Sequence, residues 1–249
     1  MSFNKLIKVL KSEGYEFIHL ALTSSTMNDA KLFIKKNNKH CVILADQQKN
    51  GKGRRGKKWI SPKGNIYCSL SFENNLNIKR HFLYSLVTVI SIKMALQYFN
   101  AMDIKFKWPN DIFYHNKKFA GVILETVTLE DLYNYIIVGF GINFNTSPSI
   151  PDYPTTHIKS FSDVKSTSEF LEHFFKILFK NFENINKKNY DNFIDVYKNS
   201  LMYLNKQVKI QVNESLIIKG VIKGINKDGS LLMDNGKEIT SIYSGVIKQ

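Results

Sequence analysis

Gly51-Lys-Gly-Arg-Arg-Gly-Lys-Lys-Trp59 is the stretch on which the reading of this chain turns. Its three glycines permit unusual backbone angles and close approach to a ligand. Five cations in the eight positions from Gly51 to Lys58 create a strong field for an anion. Trp59 offers a flat face for a purine or sugar, or a plug for the core. The pattern is neither the phosphate loop Gly-x-x-x-x-Gly-Lys-Ser/Thr nor a dinucleotide fingerprint. By itself it fits an anion-binding loop, a nucleic-acid contact or a solvated turn.

Working outward, the loop lies between two strand candidates, Cys41–Ala45 and Ile66–Phe72. Upstream, Ser25 and Thr26 precede a helical pattern from Met27 to Ile34, so their hydroxyls are expected to cap a helix. Downstream, Phe82, Leu86, Ile90 and Met94 recur every four residues, flanked by Leu83 and Val87, which predicts an amphipathic core helix. Ile104–Trp108 is a strand stopped by Pro109, and Phe119–Glu125 and Tyr135–Asn143 are further strands. Thr146 to Lys165 holds three of the five prolines and is expected to be an irregular connection. Two helices follow, around Phe170–Leu178 and Phe193–Leu201. From about Lys206 short strand candidates take over, Val208–Val212, Ile217–Ile225 and Leu231–Met233, with hairpin signals at Asp228-Gly229 and Asn235-Gly236. The expected division is 1–205 and 206–249, the second part a small all-β unit packed on the first.

Composition narrows the classes. The 249 residues are 43% hydrophobic and 13% aromatic, enough for a real core, which excludes wholesale disorder. There is no run of about 18 apolar residues, so no transmembrane helix is expected. Met1 to Leu10 lacks the apolar core of a secretory signal. Cys41 and Cys68 sit in apolar runs and read as buried thiols of a reducing cytoplasm. The six histidines make no metal-ligand spacing. The 35 basic and 21 acidic residues leave a net charge of +14, most of it spread over solvated faces.

Four more segments carry chemistry. In Lys107-Trp-Pro-Asn-Asp111, a carboxylate beside an amide suits Mg²⁺ and phosphate, or simply an Asx turn. In Lys117-Lys-Phe-Ala-Gly-Val-Ile-Leu-Glu125, Lys118 starts an apolar strand and could reach into a cleft, or end a hairpin; Gly121 would let a ligand lie against the strand. In Gly139-Phe-Gly-Ile-Asn143, glycines alternate on one face, flooring a pocket or making room for a large neighbour. Ser24-Ser-Thr26 with Asn28 opens a helix, whose N-terminus suits an anion or a cap.

Taken together, in this order, the chain resembles the biotin–protein ligases. The motifs are Ser25-Thr-Met-Asn28, Ala45-Asp-Gln-Gln48 through Trp59 to Ser61-Pro62, Lys107–Asp111, Lys118–Glu125 and Gly139–Asn143; Gly224-Ile-Asn-Lys-Asp-Gly229 matches the family's C-terminal module. The resemblance implies an α+β fold: a mixed β-sheet with helices, of the class II aminoacyl-tRNA synthetase/biotin ligase-like kind, plus a small SH3-like β-barrel. It implies that biotin and ATP give biotinyl-5′-AMP, and that a carrier lysine then takes the biotin. The carrier would be a biotin carboxyl carrier domain of an acyl-CoA carboxylase, and the enzyme a cytoplasmic monomer or homodimer.

By the same resemblance Ser25, Thr26, Gln48, Gly51, Lys52, Arg54, Lys118, Gly121, Ile123 and Gly139 bind biotin, with Lys118 touching its carboxylate and the α-phosphate and Lys52 and Arg54 gripping phosphates. Asn28, Lys52, Arg54, Arg55, Trp59, Asn110, Lys118 and Asn143 meet ATP or the adenylate, Trp59 near the adenine. Lys118, Arg54, Lys52 and Asp111 are the catalytic set, and Asp111 is the Mg²⁺ ligand. Two departures stand out. Lys52 replaces the family's common arginine, losing planar bidentate geometry. Ser244-Gly-Val246 lacks the glutamate often found after that glycine. The residues before Ser24 are too few for a helix-turn-helix, so no operator binding is expected. The rivals are a lipoate–protein ligase-type adenylating enzyme, which shares the chemistry, and a non-enzymatic nucleic-acid-binding protein.

Overall fold

A computed structural model describes residues 2–74, 76, 81–128, 134–151, 153–187 and 190–248. The first part is built on a seven-stranded sheet: β1 (Glu16–Leu20), β2 (Cys41–Ala45), β3 (Ile66–Glu73), β4 (Ile104–Lys107), β5 (Asp111–Tyr114), β6 (Lys117–Thr128) and β7 (Asn134–Ile142). Their spatial order is β1-β2-β3-β7-β6-β5-β4, parallel between β1 and β2 and antiparallel elsewhere. The helices are α1 (Asn4–Ser12), α2 (Thr26–Asn37), α3 (Phe82–Tyr98), α4 (Thr167–Asn186) and α5 (Asp191–Asn199).

The two faces of the sheet are used differently. On one face Val42, Leu44, Leu70, Val138 and Ile142 join α1, α3 and α4 in the main core. On the other, Ile43, Tyr135 and Ile137 pack under Met27, Ala30 and Ile34 of α2. Beyond α2 that second face continues over β6 and β7 without a helical cover among the described residues, and the site lies there. β3 is buried on both faces, because α2 covers one side and α3 with α4 the other. The alternation that marked it as a strand is therefore not an in–out pattern. α3 also departs from the amphipathic expectation. It is buried nearly all round, held between the sheet, α4 and α5, and Met94 is among its few exposed residues.

The connection 146–165, Asp152 aside as outside the described residues, is irregular as expected, with one 3-10 turn at Ile158–Ser160. It is firmly tied. Asn65 Oδ1 accepts from the backbone N–H groups of Phe144, Asn145 and Thr146 at 2.9–3.2 Å. The sequence reading missed α1, β1 and β5, short elements whose patterns are weak in isolation.

The C-terminal sheet comprises β8 (Gln207–Gln211), β9 (Ile217–Ile225), β10 (Leu231–Asp234), β11 (Ile239–Ile242) and β12 (Val246–Lys248), in the order β11-β10-β9-β8-β12. Asp228-Gly229 turns β9 into β10 and Asn235-Gly236 turns β10 into β11, as the sequence predicts. Among the described residues β11 and β12 are not paired, so the expected barrel is an open five-stranded sheet. It docks on the first part through Trp108, whose indole N–H donates to Gly229 O at 3.0 Å. Gly229 has φ +82°, and a Cβ there would strike the Phe82 ring, so only glycine suits this contact.

Asn65→Ala would strand three backbone donors at once. It is expected to lower unfolding stability by about 2 kcal/mol, readable as a shift of the urea midpoint.

Candidate active site

The site begins where α2 meets the glycine loop. Thr23 and Ser24 pair with the 47–50 backbone, fixing both segments together. Gln48 Oε1 accepts from Thr26 N–H at 3.0 Å and from Thr26 Oγ1 at 3.2 Å, while Gln48 Nε2 donates to Ser61 Oγ at 3.1 Å. Ser69 Oγ donates to Thr26 Oγ1 at 2.8 Å, completing the network. Ser25 is the N-cap residue of α2, but its hydroxyl makes no cap bond, contrary to the sequence expectation. It is 1% exposed, lines the pocket and has no hydrogen-bond partner among the described residues. A buried hydroxyl left open in this way is a natural contact for a polar ligand group.

The loop crosses the open part of the sheet. A 3-10 turn at Arg54–Gly56 lies between the paired positions Lys52 and Lys58. Trp59 then lies flat on β6 and β7. A Cβ on Gly141 would come within 2.4 Å of Trp59 Nε1, and one on Gly139 within 2.4 Å of Met27 Sδ. The alternating glycines thus do both things open from sequence: they line the cavity and seat two large side chains. Trp59 Nε1 is buried with no hydrogen-bond partner among the described residues.

Lys118 reaches this face through a shift in strand register. Ile112 pairs with Ala120, but Phe113 pairs with Lys118, so Phe119 is an extra residue in β6. Ala120 and Val122 belong to the core face; without the bulge Lys118, two before Ala120, would join them. With it, Lys118 joins Asp111, Gly121 and Ile123 on the pocket face. Lys118 is 8% exposed, and its Nζ lies 2.8 Å from Asp111 Oδ2. The ammonium is also 5.3 Å from the Trp59 ring centroid and 5.1 Å from that of Tyr153. Of the two placements open from sequence, the structure has the one in which Lys118 reaches into a cleft.

The resulting cavity of about 380 Å³ is apolar around Met27, Ile123 and Gly139 and cationic around Asn110 and Asp111, where Arg54, Lys107 and Lys118 gather. Burial pushes the Arg54 guanidinium below its usual value, with Asp111 opposing; an arginine remains charged at neutral pH all the same. Burial likewise lowers Lys107, with Asp111 opposing and Lys118, Lys248 and Lys57 adding to the effect. Arg54 Nη1 makes a long 3.4 Å contact to Asn110 Oδ1, and Asn110 Nδ2 donates to Val122 O at 2.8 Å. Asn110 is thus held against β6 and faces Arg54. Lys52 is more exposed, with Glu125 Oε1 at 3.7 Å.

The structure brings together Ser25, Thr26, Gln48, Lys52, Arg54, Arg55, Trp59, Asn110, Asp111, Lys118, Gly121, Ile123 and Gly139 around the cavity. Three expected residues lie outside its lining. Asn28 is exposed, on the solvent side of α2. Gly51 is buried behind the loop, where a Cβ would meet Trp59 O at 2.4 Å and Ser61 Oγ at 2.6 Å. Asn143 is 2% exposed and points away, its Nδ2 donating to Thr156 O at 3.1 Å. Arg55 is on the wall, but its Nη2 donates to Val212 O at 2.9 Å and Ser244 Oγ at 2.8 Å, tying the loop to the C-terminal sheet. Sequence reasoning missed Met27, Phe113, Tyr153 and Gly245–Lys248 as lining residues, and left Lys107 without a role. Lys107 had a signal, because the tight turn at Pro109-Asn110 pairs it with Asp111. Tyr153 and the C-terminal strand had none.

One carboxylate, Asp111, next to a cationic cradle suits a Mg²⁺ that arrives on phosphate, since that ion binds one or two carboxylates and keeps phosphate and water ligands. Among the described residues no group of three acidic, histidine or cysteine side chains could cage a metal. No helix among them is long and apolar enough to cross a membrane.

An apolar slot running into a cationic cradle defines an enzyme that brings a largely apolar acid up to a phosphate. Comparison with known proteins agrees. Residues 19–143 match the Biotin/lipoate A/B protein ligase family and residues 203–248 the Biotin protein ligase C terminal domain. The chain belongs to the biotin/lipoate A/B protein ligase family. The bifunctional ligase/repressor BirA of Bacillus subtilis is 23% identical over 248 residues, 96% of this chain and 76% of the relative. The biotin–[acetyl-CoA-carboxylase] ligase of Paracoccus denitrificans is 29% identical over 131 residues, 52% and 55%. The structure of the Aquifex aeolicus biotin protein ligase in complex with biotin and ATP superposes with TM-score 0.79 at 26% identity, covering 94% of this chain and 97% of that one.

The lowered Lys107 value has a sign that can be checked. Between the folded and unfolded values the folded chain binds fewer protons at this site, so stability rises with pH across that window, and below it the charge works against the fold. Lys107→Met is therefore expected to raise the melting temperature at neutral pH while raising KM for ATP. Thermal unfolding beside steady-state kinetics checks both.

Proposed function

We infer that the chain is an ATP-dependent biotin–protein ligase that forms biotinyl-5′-AMP and passes biotin to a lysine of a biotin carboxyl carrier domain of an acyl-CoA carboxylase. The observation that carries this reading is the ion pair between buried Lys118 and half-buried Asp111, where the apolar and cationic parts of the cavity meet. Biotin enters with its bicyclic ring in the slot, where the open Ser25 hydroxyl, held beside the Thr26–Gln48–Ser61 network, meets its ureido group. Ile123, Met27 and the Gly139 floor pack against its apolar body, and its carboxylate ends at Lys118.

Two anions must meet in the first half-reaction, and their repulsion is the main obstacle. A carboxylate oxygen of biotin attacks the α-phosphorus of ATP. The new C–O–P linkage forms as the bond to the bridging β-phosphate oxygen breaks, and pyrophosphate leaves. Lys118 donates to the carboxylate and the α-phosphate, while Arg54, Lys52 and Lys107 face the departing phosphates. These preformed charges act most strongly on the charge that develops in the transition state. Asp111 would hold a Mg²⁺ arriving on the phosphates, and that ion would supply further charge neutralisation. In the second half-reaction a carrier lysine amine attacks the acyl carbon, an amide forms, AMP leaves and the amine gives up a proton. No side chain needs to become covalently modified, so positioning and electrostatics do the work. The loop, seated by Trp59 and tied by Arg55, shields the hydrolysable anhydride from water.

The same reading divides the chain at 205/206, just before β8, with the second part helping to close the first. It is preferred to a nucleic-acid binder because both arginines of the loop are engaged within the chain, Arg54 turning in to Asn110 and Arg55 to the C-terminal part.

ATP–pyrophosphate exchange tests the reading. It should depend on biotin and not on lipoate; exchange indifferent to biotin would overturn it. Lys118→Ala should cut exchange by at least about 100-fold with the far-ultraviolet spectrum intact. Lys52→Ala should mainly hasten release of biotinyl-AMP, measured as the off-rate of labelled adenylate.

A further inference from the structure

The ammonium of Lys118 lies over two aromatic rings, 5.3 Å from the Trp59 centroid and 5.1 Å from that of Tyr153, and only one of them belongs to a motif. Trp59 ends the glycine loop. Tyr153 comes from the Pro-rich connection, which has no helical or strand pattern of its own. That connection is nonetheless fastened to Lys118 itself. Lys118 N–H donates to Pro154 O at 2.9 Å, and Thr156 N–H donates to Lys118 O at 3.0 Å, forming a parallel bridge between Lys118 and Thr155. Asn143 holds the far side: its side chain donates to Thr156 O, and its carbonyl accepts from Ile158 N–H. The backbone that carries Tyr153 is thus hydrogen-bonded to the residue whose side chain the Tyr153 ring covers.

We propose that Tyr153 is a positioning residue for Lys118, its ring closing an aromatic sandwich that holds the ammonium in place while leaving donors free for the reacting oxygens. This rests on the ligase reading. An ammonium has three N–H donors, and Asp111 accepts one of them. The other two must serve a carboxylate and a phosphate. A hydroxyl or amide in place of the ring would compete for them. A ring face attracts the cation through its quadrupole and makes no strong claim on a donor. Asn143, expected at the adenylate, contributes instead by fixing the segment from behind.

The test replaces Tyr153 in the full chain and follows biotin-dependent ATP–pyrophosphate exchange. Tyr153→Phe should stay within about twofold of wild type. Tyr153→Leu, which keeps apolar bulk but loses the ring, should lower kcat roughly tenfold with KM for biotin little changed. Phenylalanines of increasing fluorination at position 153 should lower kcat in graded steps as the ring face loses negative charge. A packing role would move none of these in order. Leu equal to Phe, Phe as poor as Leu, or a flat fluorination series would each overturn the proposal while leaving the ligase reading intact. Wild-type exchange indifferent to biotin would overturn the ligase reading and this role with it. A readout besides activity is the proton shift of the Lys118 ε-methylene in ¹³C-lysine-labelled protein. It should lie upfield from ring current and move toward the ordinary lysine value in Tyr153→Leu; no movement would refute the sandwich.

Discussion

A charged ammonium kept 8% exposed is the constraint on which the rest of this site depends. Burying an unpaired charge is far too costly for a marginally stable fold, so Lys118 must be compensated locally. Asp111 at 2.8 Å supplies the opposite charge, and two ring faces supply the rest. Each compensating group then makes its own demand. Asp111 needs the tight β4–β5 turn to come opposite Gly121. Trp59 needs glycine at 141, because any side chain there would occupy the ring's place. Lys118 needs the bulge at Phe119, without which it would face the packed core.

The basic loop is shaped by the same logic. Its cations repel one another, and a loop of this composition alone would splay into water. Gly51 allows Trp59 N–H to reach Gly51 O at 2.8 Å, which closes the loop's base. Arg55 anchors its tip to Val212 and Ser244. The C-terminal sheet therefore does more than cap the fold: it holds the loop over the cavity and lends Gly245–Lys248 to the wall. Trp108 links the two parts at the point where the phosphate-handling turn begins, so the placement of the sheet and the shape of that turn are coupled.

Much was legible beforehand. β2, β3, β6, β7, α2 and the two C-terminal hairpins follow from apolar runs and turn residues, whose causes are local. The loop, Lys107–Asp111, Lys118–Glu125 and Gly139–Asn143 stand in an order that points to one family. Departures arose where the cause was distant. α3 has the spacing of an amphipathic helix, but α4 and α5 cover what would have been its wet side. Ser25 sits where a cap belongs and borders the cavity, yet its hydroxyl makes no cap bond. Asn143 closes a motif and turns its amide to a connection thirteen residues on.

Sequence alone, then, determined most of the longer elements, the residue kinds and the chemistry they are suited to, because propensity, turn geometry and charge are properties of neighbouring residues. Tertiary structure decided which of those residues meet. Whether Lys118 faces core or cavity depends on one extra residue in a strand pairing, and pairing register belongs to two segments at once. Tyr153 has no local pattern to announce it. It reaches Lys118 only because the backbone of an irregular connection finds its hydrogen-bond partners on β6.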